Sequence, residues 1–239
     1  MAELVDIIRQ RASYVQAAML QAAASAKRPI GSTRLVVVTK LHSVETIEAA
    51  IEAGLSTFGE NYPEEAASKI AQFKDRTDIH WEMIGHIQSR KANLIAHGYD
   101  LVHSVDSLKL ATKIDRLREE SESPQDILCE VNIASEANKG GYVVDSERNK
   151  ELFLNELETI SGLKRLRIIG LMGMPPLQEN PETNRVHFSA LRDLLVEVNG
   201  HFGWKLSELS MGTSSDFQVA IEEGATVIRI GEAILGKRK

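Results

Sequence analysis

Apolar positions along this chain follow two periods in alternation. Leu4, Ile7, Ile8, Ala12, Val15, Ala18 and Met19 recur at helical spacing, so residues 2–26 are expected to form an amphipathic helix ahead of everything else. The turn-rich stretch "RPIGST" ends it. Short β-rich runs then follow at 34–40, 57–61, 79–85, 101–105, 126–133, 165–174, 208–212 and 226–231. Between them lie longer helical stretches such as "SVETIEAAIEAG", "PEEAASKIAQF", "DSLKLATKIDRLREE", "SERNKELFLNELETISG" and "NRVHFSALRDLLVEVNG", several closing on Gly as a helix stop.

Strands alternating with helices imply parallel pairing and right-handed crossovers. Eight such units in 239 residues match a closed barrel, whose usual length is about 250. The expectation is an α/β fold: a single (β/α)8 TIM barrel over residues 1–239 with an extra N-terminal helix. A doubly wound open sheet is the rival, but "LHSVE" follows the first strand where a dinucleotide fold needs G-x-G-x-x-G. The longest loops, "ASEANKGG" and "PPLQENPE", both follow strands, which in a barrel places them on the face that carries chemistry.

Composition narrows the function. Twenty-eight basic against 34 acidic side chains give a net charge of −6, which opposes nucleic-acid binding, and the basic cluster Lys237–Lys239 is confined to the chain end. The N-terminal stretch is charged throughout its first 12 residues, so neither a signal peptide nor a membrane span is expected, and a cytoplasmic location is. The single cysteine, Cys129, falls in an expected strand and reads as a small buried hydrophobe. His80, His86, His97 and His103 lack metal-ligand spacing, so no metal site is expected.

In a barrel, strand C-terminal ends converge on one mouth, and here they form a ring of candidates. Lys40 ends strand 1, Glu60 and Asn61 end strand 2, His86 and Gln88 follow strand 3, and Asn132 ends strand 5. Met172 and Met174 end strand 6, residues 210–215 follow strand 7, and Arg229, Gly231 and Glu232 close the circle. The segments "SMGTSSD" and "RIGEAILG" follow strands 7 and 8, where barrels commonly hold phosphate. A plainer role for "GTSSD" is a helix cap, with Ser214 or Ser215 capping "DFQVAIEEG"; the two roles are compatible. Lys40 alone is an ordinary strand-end charge. Opposite a phosphate cup it is what Schiff-base chemistry needs, because partial desolvation frees the amine. Arg229, a charge inside the apolar run "TVIRIG", needs a partner, and an ion pair with a neighbouring Glu is the plain alternative.

The motifs "VVVTK", "FGENYPEEAASK", "WEMIGHIQSRKAN", "VNIASEANKGG", "GLMGMPP", "LSMGTSSD" and "VIRIGEAILG" span nearly the whole chain. Through them it resembles the pyridoxal phosphate homeostasis proteins, whose barrel is similar to the N-terminal domain of alanine racemase, a fold-type III enzyme. The resemblance implies pyridoxal 5′-phosphate as cofactor, with Lys40 as the internal aldimine, Asn61 beside the ring hydroxyl and Met172 and Gly212 in the pocket. It also implies that Ser210, Thr213, Ser214 and the Gly231 backbone hold the phosphate while Arg229 faces the pyridine nitrogen. A fixed positive charge there disfavours protonating the ring, which implies carriage of the cofactor with no robust catalysis. Racemisation is the alternative; it needs a second base, commonly a tyrosine from a partner's β-domain, and a chain ending at Lys239 is expected to have no room for that domain. Of its tyrosines, only Tyr62 and Tyr142 fall near expected mouth loops. The implied protein is monomeric, makes transient contacts with apo-enzymes that need the cofactor, and touches neither nucleic acid nor membrane. Three motifs depart from the family's common "GLMTM", "SMGMS" and "RIGT": Gly173 loses a hydroxyl, Thr213 adds one, and Glu232 puts a carboxylate near the expected phosphate.

Overall fold

The computed structural model describes residues 1–119, 123–136 and 139–237. Part of the "ASEANKGG" loop, the end of the "DSLKLATKIDRLREE" helix and most of the terminal basic cluster therefore lie outside the described residues. The chain opens with helix α1 (Ala2–Ser25) and then runs β1 (Arg34–Val38), α2 (Val44–Glu52), β2 (Thr57–Glu60), α3 (Pro63–Gln72), β3 (His80–Met83) and β4 (Leu101–Val105). It continues through α4 (Leu108–Leu117), β5 (Gln125–Val131), α5 (Glu147–Ser161), β6 (Leu166–Gly173), α6 (Arg185–Phe202), β7 (Glu208–Ser210), α7 (Phe217–Glu222), β8 (Val227–Ile230) and α8 (Glu232–Leu235).

All eight expected strands form, and they pair in parallel in sequence order. The barrel closes where β8 returns to β1, with Val36 opposite Arg229 and Val37 opposite Ile230. One crossover differs from the α-helical pattern: β3 leads to β4 through a short 3-10 helix, Ser89–Leu94. Helix α1 packs against α2, α7 and α8 and so covers the seam where β8 meets β1. Ile8, Ala12 and Val15 are buried on its inner face as their spacing requires, whereas Ile7 is exposed and Val5 takes its place.

Strand alternation sorts side chains into an outer layer under the helices and an inner filling. Val37, Phe58, Trp81, Ile127, Cys129, Leu171, Leu209, Ile228 and Ile230 belong to the continuous core beneath the helices. Each large side chain sealed there contributes roughly 1.5–3 kcal/mol. Cys129 is among them, fully buried, and burial pushes its thiol up to about 12. Inside the barrel the filling is split. One side is an apolar cluster of Leu101, Leu128 and Met172, with Ile169 against it. The other is a column of buried polar groups, Glu82, His103, Ser210 and Arg229, where barrels usually stack aliphatic residues.

Candidate functional site

The C-terminal ends of the strands open into a cavity of about 680 Å³, within the usual 300–1,000 Å³ range of small-molecule pockets. Of the residues anticipated from sequence, Lys40, Asn61, Met172, Thr213, Ser214, Arg229 and Gly231 line it. Glu130, His86, Lys139 and Glu232 line it too. Ser210 and Gly212 are not in the lining; they lie behind it and shape it.

β1 stops at Val38, two residues earlier than expected, so half-buried Lys40 sits in the turn that leaves the barrel. Its neighbour Leu41 has φ 61, a left-handed conformation that branched side chains adopt only when surroundings hold them there. The surroundings are ionic. Lys69 on α3 donates to the Thr39 carbonyl at 2.8 Å, to Glu60 Oε1 at 2.8 Å and to Glu65 Oε1 at 2.5 Å. Thr39 Oγ1 also donates to Glu60 Oε1 at 2.7 Å. Burial raises the Glu60 carboxyl above its ordinary range despite Lys69 and Thr39. Glu60, named from its sequence position as a mouth residue, is thus buried support under Lys40.

Asn61 faces the cavity because the backbone of Gly85 lies against its own. A Cβ at Gly85 would come within 2.3 Å of the Asn61 carbonyl oxygen, so no other residue fits. Asn61 Oδ1 is a buried acceptor without a protein hydrogen-bond partner.

Arg229 is held by neutral oxygens rather than by a directly paired Glu. Its guanidinium donates to Ser210 Oγ at 2.5 Å and to the Gly173 carbonyl at 3.2 Å. Burial pulls it down to about 10, against the attraction of Glu130, Asp216 and Glu82. Since Arg has donors only, Ser210 must accept from it and donate its own O–H to His103 Nδ1, 2.8 Å away. His103 Nε2 then carries the hydrogen toward Glu82 Oε2 at 2.7 Å, and Glu82 Oε1 accepts from Arg34 at 2.5 Å. Burial holds His103 below its ordinary range, consistent with that neutral tautomer. The column therefore runs from Arg34 at the N-terminal end of β1 to the cavity floor.

The segment after β7 is braced by Asp216. Its Oδ1 accepts from the Thr213 N–H at 2.7 Å and the Thr213 hydroxyl at 3.1 Å, and its Oδ2 from Asn184 at 2.9 Å. Asp216, not Ser214 or Ser215, occupies the N-cap position of α7, so the serine-cap expectation is corrected. Both serines instead line the cavity. Gly212, at φ 92 with Ala220 Cβ 2.6 Å from where its own Cβ would be, makes the tight turn possible and accepts from the Arg229 N–H. Gly231 lies against Val38 across the closure, and exposed Glu232 stands beside it at the rim.

Sequence reasoning passed over Glu130 on β5. Burial, then the nearby Asp106, raises its carboxyl, and its Oε2 has no protein partner. Beside it, His86 Nδ1 lies 3.2 Å from Asp106 Oδ2. The signal was present: like Arg229, Glu130 is a charge set within an apolar run, "ILCEV". Both long loops do reach the mouth, and Lys139 ties them by donating to the Met174 carbonyl at 3.1 Å. Among the described residues no group of metal-ligating side chains assembles, and no helix is long and apolar enough to cross a membrane.

Residues 15–239 match the family model for the alanine racemase N-terminal domain. The chain is 38% identical over 230 residues to the pyridoxal phosphate homeostasis protein of Aquifex aeolicus, covering 96% of this chain and 98% of that one. The structure of PipY from Synechococcus elongatus with pyridoxal phosphate bound superposes with a TM-score of 0.82 at 31% identity, covering 96% of this chain and 100% of that one. Alanine racemase from Corynebacterium glutamicum, at 16% identity and a TM-score of 0.64 over 60% of its length, shares the barrel fold.

Proposed function

Because the chain belongs to the pyridoxal phosphate homeostasis protein family, we propose that it binds pyridoxal 5′-phosphate in this cavity and carries it in the cytoplasm, limiting the free aldehyde and so influencing amino-acid and keto-acid metabolism. The observation that carries this reading is the convergence of Lys40, the buried Arg229 and the hydroxyl-rich turn 213–215 on a single cavity. Residues 1–239 act as one cofactor-binding domain, as a monomer that meets acceptor apo-enzymes transiently.

The residues fit the group. Asn61 Oδ1, a buried acceptor lacking a partner, suits the ring hydroxyl. Thr213, Ser214 and the backbone at Gly231 surround the place for a phosphate, with Thr213 already oriented by Asp216. Met172 forms apolar wall, and Gly212 shapes the turn. Ser210 serves by holding Arg229 rather than by touching phosphate. When bound, the cofactor supplies an aldehyde, which the Lys40 amine captures as a Schiff base with loss of water. Arg229, fixed in the floor as a donor, keeps the pyridine nitrogen unprotonated. That withholds the electron sink that amino-acid chemistry requires.

Carriage is favoured over racemisation by the tyrosines. Tyr142 gives its hydroxyl to Glu156 at 2.9 Å, and Tyr62 is exposed at the start of α3; among the described residues no tyrosine lines the cavity. An absorption spectrum of the purified protein before and after borohydride reduction, followed by peptide mapping, tests cofactor, linkage and site together. A visible band that reduction abolishes, with the label on Lys40, is expected. A band that survives Lys40→Ala defeats the assignment, and steady Lys40-dependent D-alanine formation from L-alanine replaces carriage with racemisation.

A further inference from the structure

The two peptide groups that flank Lys40 are both held by helix α3. On one side the Thr39 carbonyl accepts from Lys69 Nζ at 2.8 Å; on the other the Leu41 N–H donates to Glu65 Oε1 at 2.7 Å. Glu65 and Lys69 are one helical turn apart and pair with each other at 2.5 Å, so the bracket is closed. Lys69 is almost wholly buried, its side chain 5% exposed, and Glu60 beside it is 0% exposed.

Such an arrangement is a poor device for stability alone, since desolvating charges offsets most of their attraction. It is suited to direction. The side chain of Lys40 leaves the backbone between two fixed peptide planes, and the left-handed Leu41 that follows would relax if its N–H were released. We propose that Lys69 and Glu65 are positioning residues that aim the Lys40 amine at the cofactor's aldehyde. This rests on the reading of Lys40 given above. Neither side chain lines the cavity, so neither is expected to touch the bound group.

The full chain is titrated with two probes: pyridoxal 5′-phosphate, which has the aldehyde, and pyridoxine 5′-phosphate, which has an alcohol in its place. In Lys69→Met and Glu65→Ala, affinity for the aldehyde by visible absorbance is expected to fall about tenfold, with a matching fall in borohydride-fixed label on Lys40. Affinity for the alcohol by calorimetry is expected to stay within about twofold, which also reports an intact fold. Glu65→Gln, which keeps an acceptor for the Leu41 N–H, is expected to recover most of the loss. Unchanged aldehyde affinity in both variants overturns the proposal, as does equal weakening of both probes, which marks a merely structural role. Should Lys69→Met fail to fold, the Glu65 pair decides by the same criteria. Lys40→Ala is run in parallel: if it keeps full aldehyde binding, the reading of Lys40 and this inference fall together, whereas its loss beside indifferent Lys69 and Glu65 variants removes the inference only.

Discussion

The two walls of the cavity are built from opposite materials. The Lys40 wall is held from outside the barrel by charges on α3, and its partners are close in sequence: Lys69 lies 30 residues from Thr39. The Arg229 wall is held from inside by a chain of single hydrogen bonds, and its central link joins residues 107 apart, His103 and Ser210. In the first, single charges serve several partners: Lys69 donates to three acceptors and Glu65 accepts from two donors. In the second each group has one role and one direction, so a missing member leaves buried neighbours without partners. Shared charge therefore holds the Lys40 wall, and a one-way relay of hydrogen bonds the Arg229 wall.

Removing a link from the column has the largest expected consequence. His103→Leu strands Ser210 and one oxygen of Glu82, and urea denaturation is expected to show a loss of about 3 kcal/mol. A loss no greater than that at the other wall would end the contrast. Lys69→Met is expected to cost less, about 1–2 kcal/mol at pH 7, because Glu60, already raised by burial, can take up a proton and shed its charge. That cost should shrink as pH falls, since a protonated Glu60 needs no counter-charge; a constant or growing cost would mean that the anchor works otherwise. Between the walls, Glu130→Gln sharpens the picture with the opposite sign. A carboxyl raised by folding favours the native state only when protonated, so its charge is a burden at neutral pH. The variant is expected to be about 1 kcal/mol more stable at pH 7, with the gain gone at pH values below 4.5, the ordinary carboxyl value. Smallest is Glu232→Gln at the rim, expected to tighten pyridoxal 5′-phosphate binding about threefold by removing an exposed like charge, with the gain lost in high salt.

The same contrast explains what could be read from the sequence. Strand number and order were legible because period-2 runs alternate with period-3.6 runs, and strand neighbours in a parallel barrel are neighbours in sequence. Lys40 and Arg229 stood out as charges against apolar strands, and both line the cavity. The position of Ser210 was not legible, because whether a hydroxyl at a strand end faces a ligand or an arginine depends on a residue from a distant strand. His103 was weighed only as a metal ligand, since its partners Glu82 and Ser210 come from other strands. Glu65 and Lys69 look like any helical i, i+4 pair on a solvated face. Which face of α3 meets the mouth is fixed by the docking of the helix, not by its own pattern. The 3-10 crossover after β3 likewise carries no mark in "SRKANL" that separates it from a short α-helix.

Cys129 has a chemical consequence beyond packing. Thiols add readily to aldehydes, giving thiohemiacetals that would divert the cargo of an aldehyde carrier. The chain has one sulfhydryl, and it is sealed beneath the helices and kept protonated far above neutral pH. No sulfur nucleophile of the protein's own would therefore compete with an amine for an aldehyde held in the cavity.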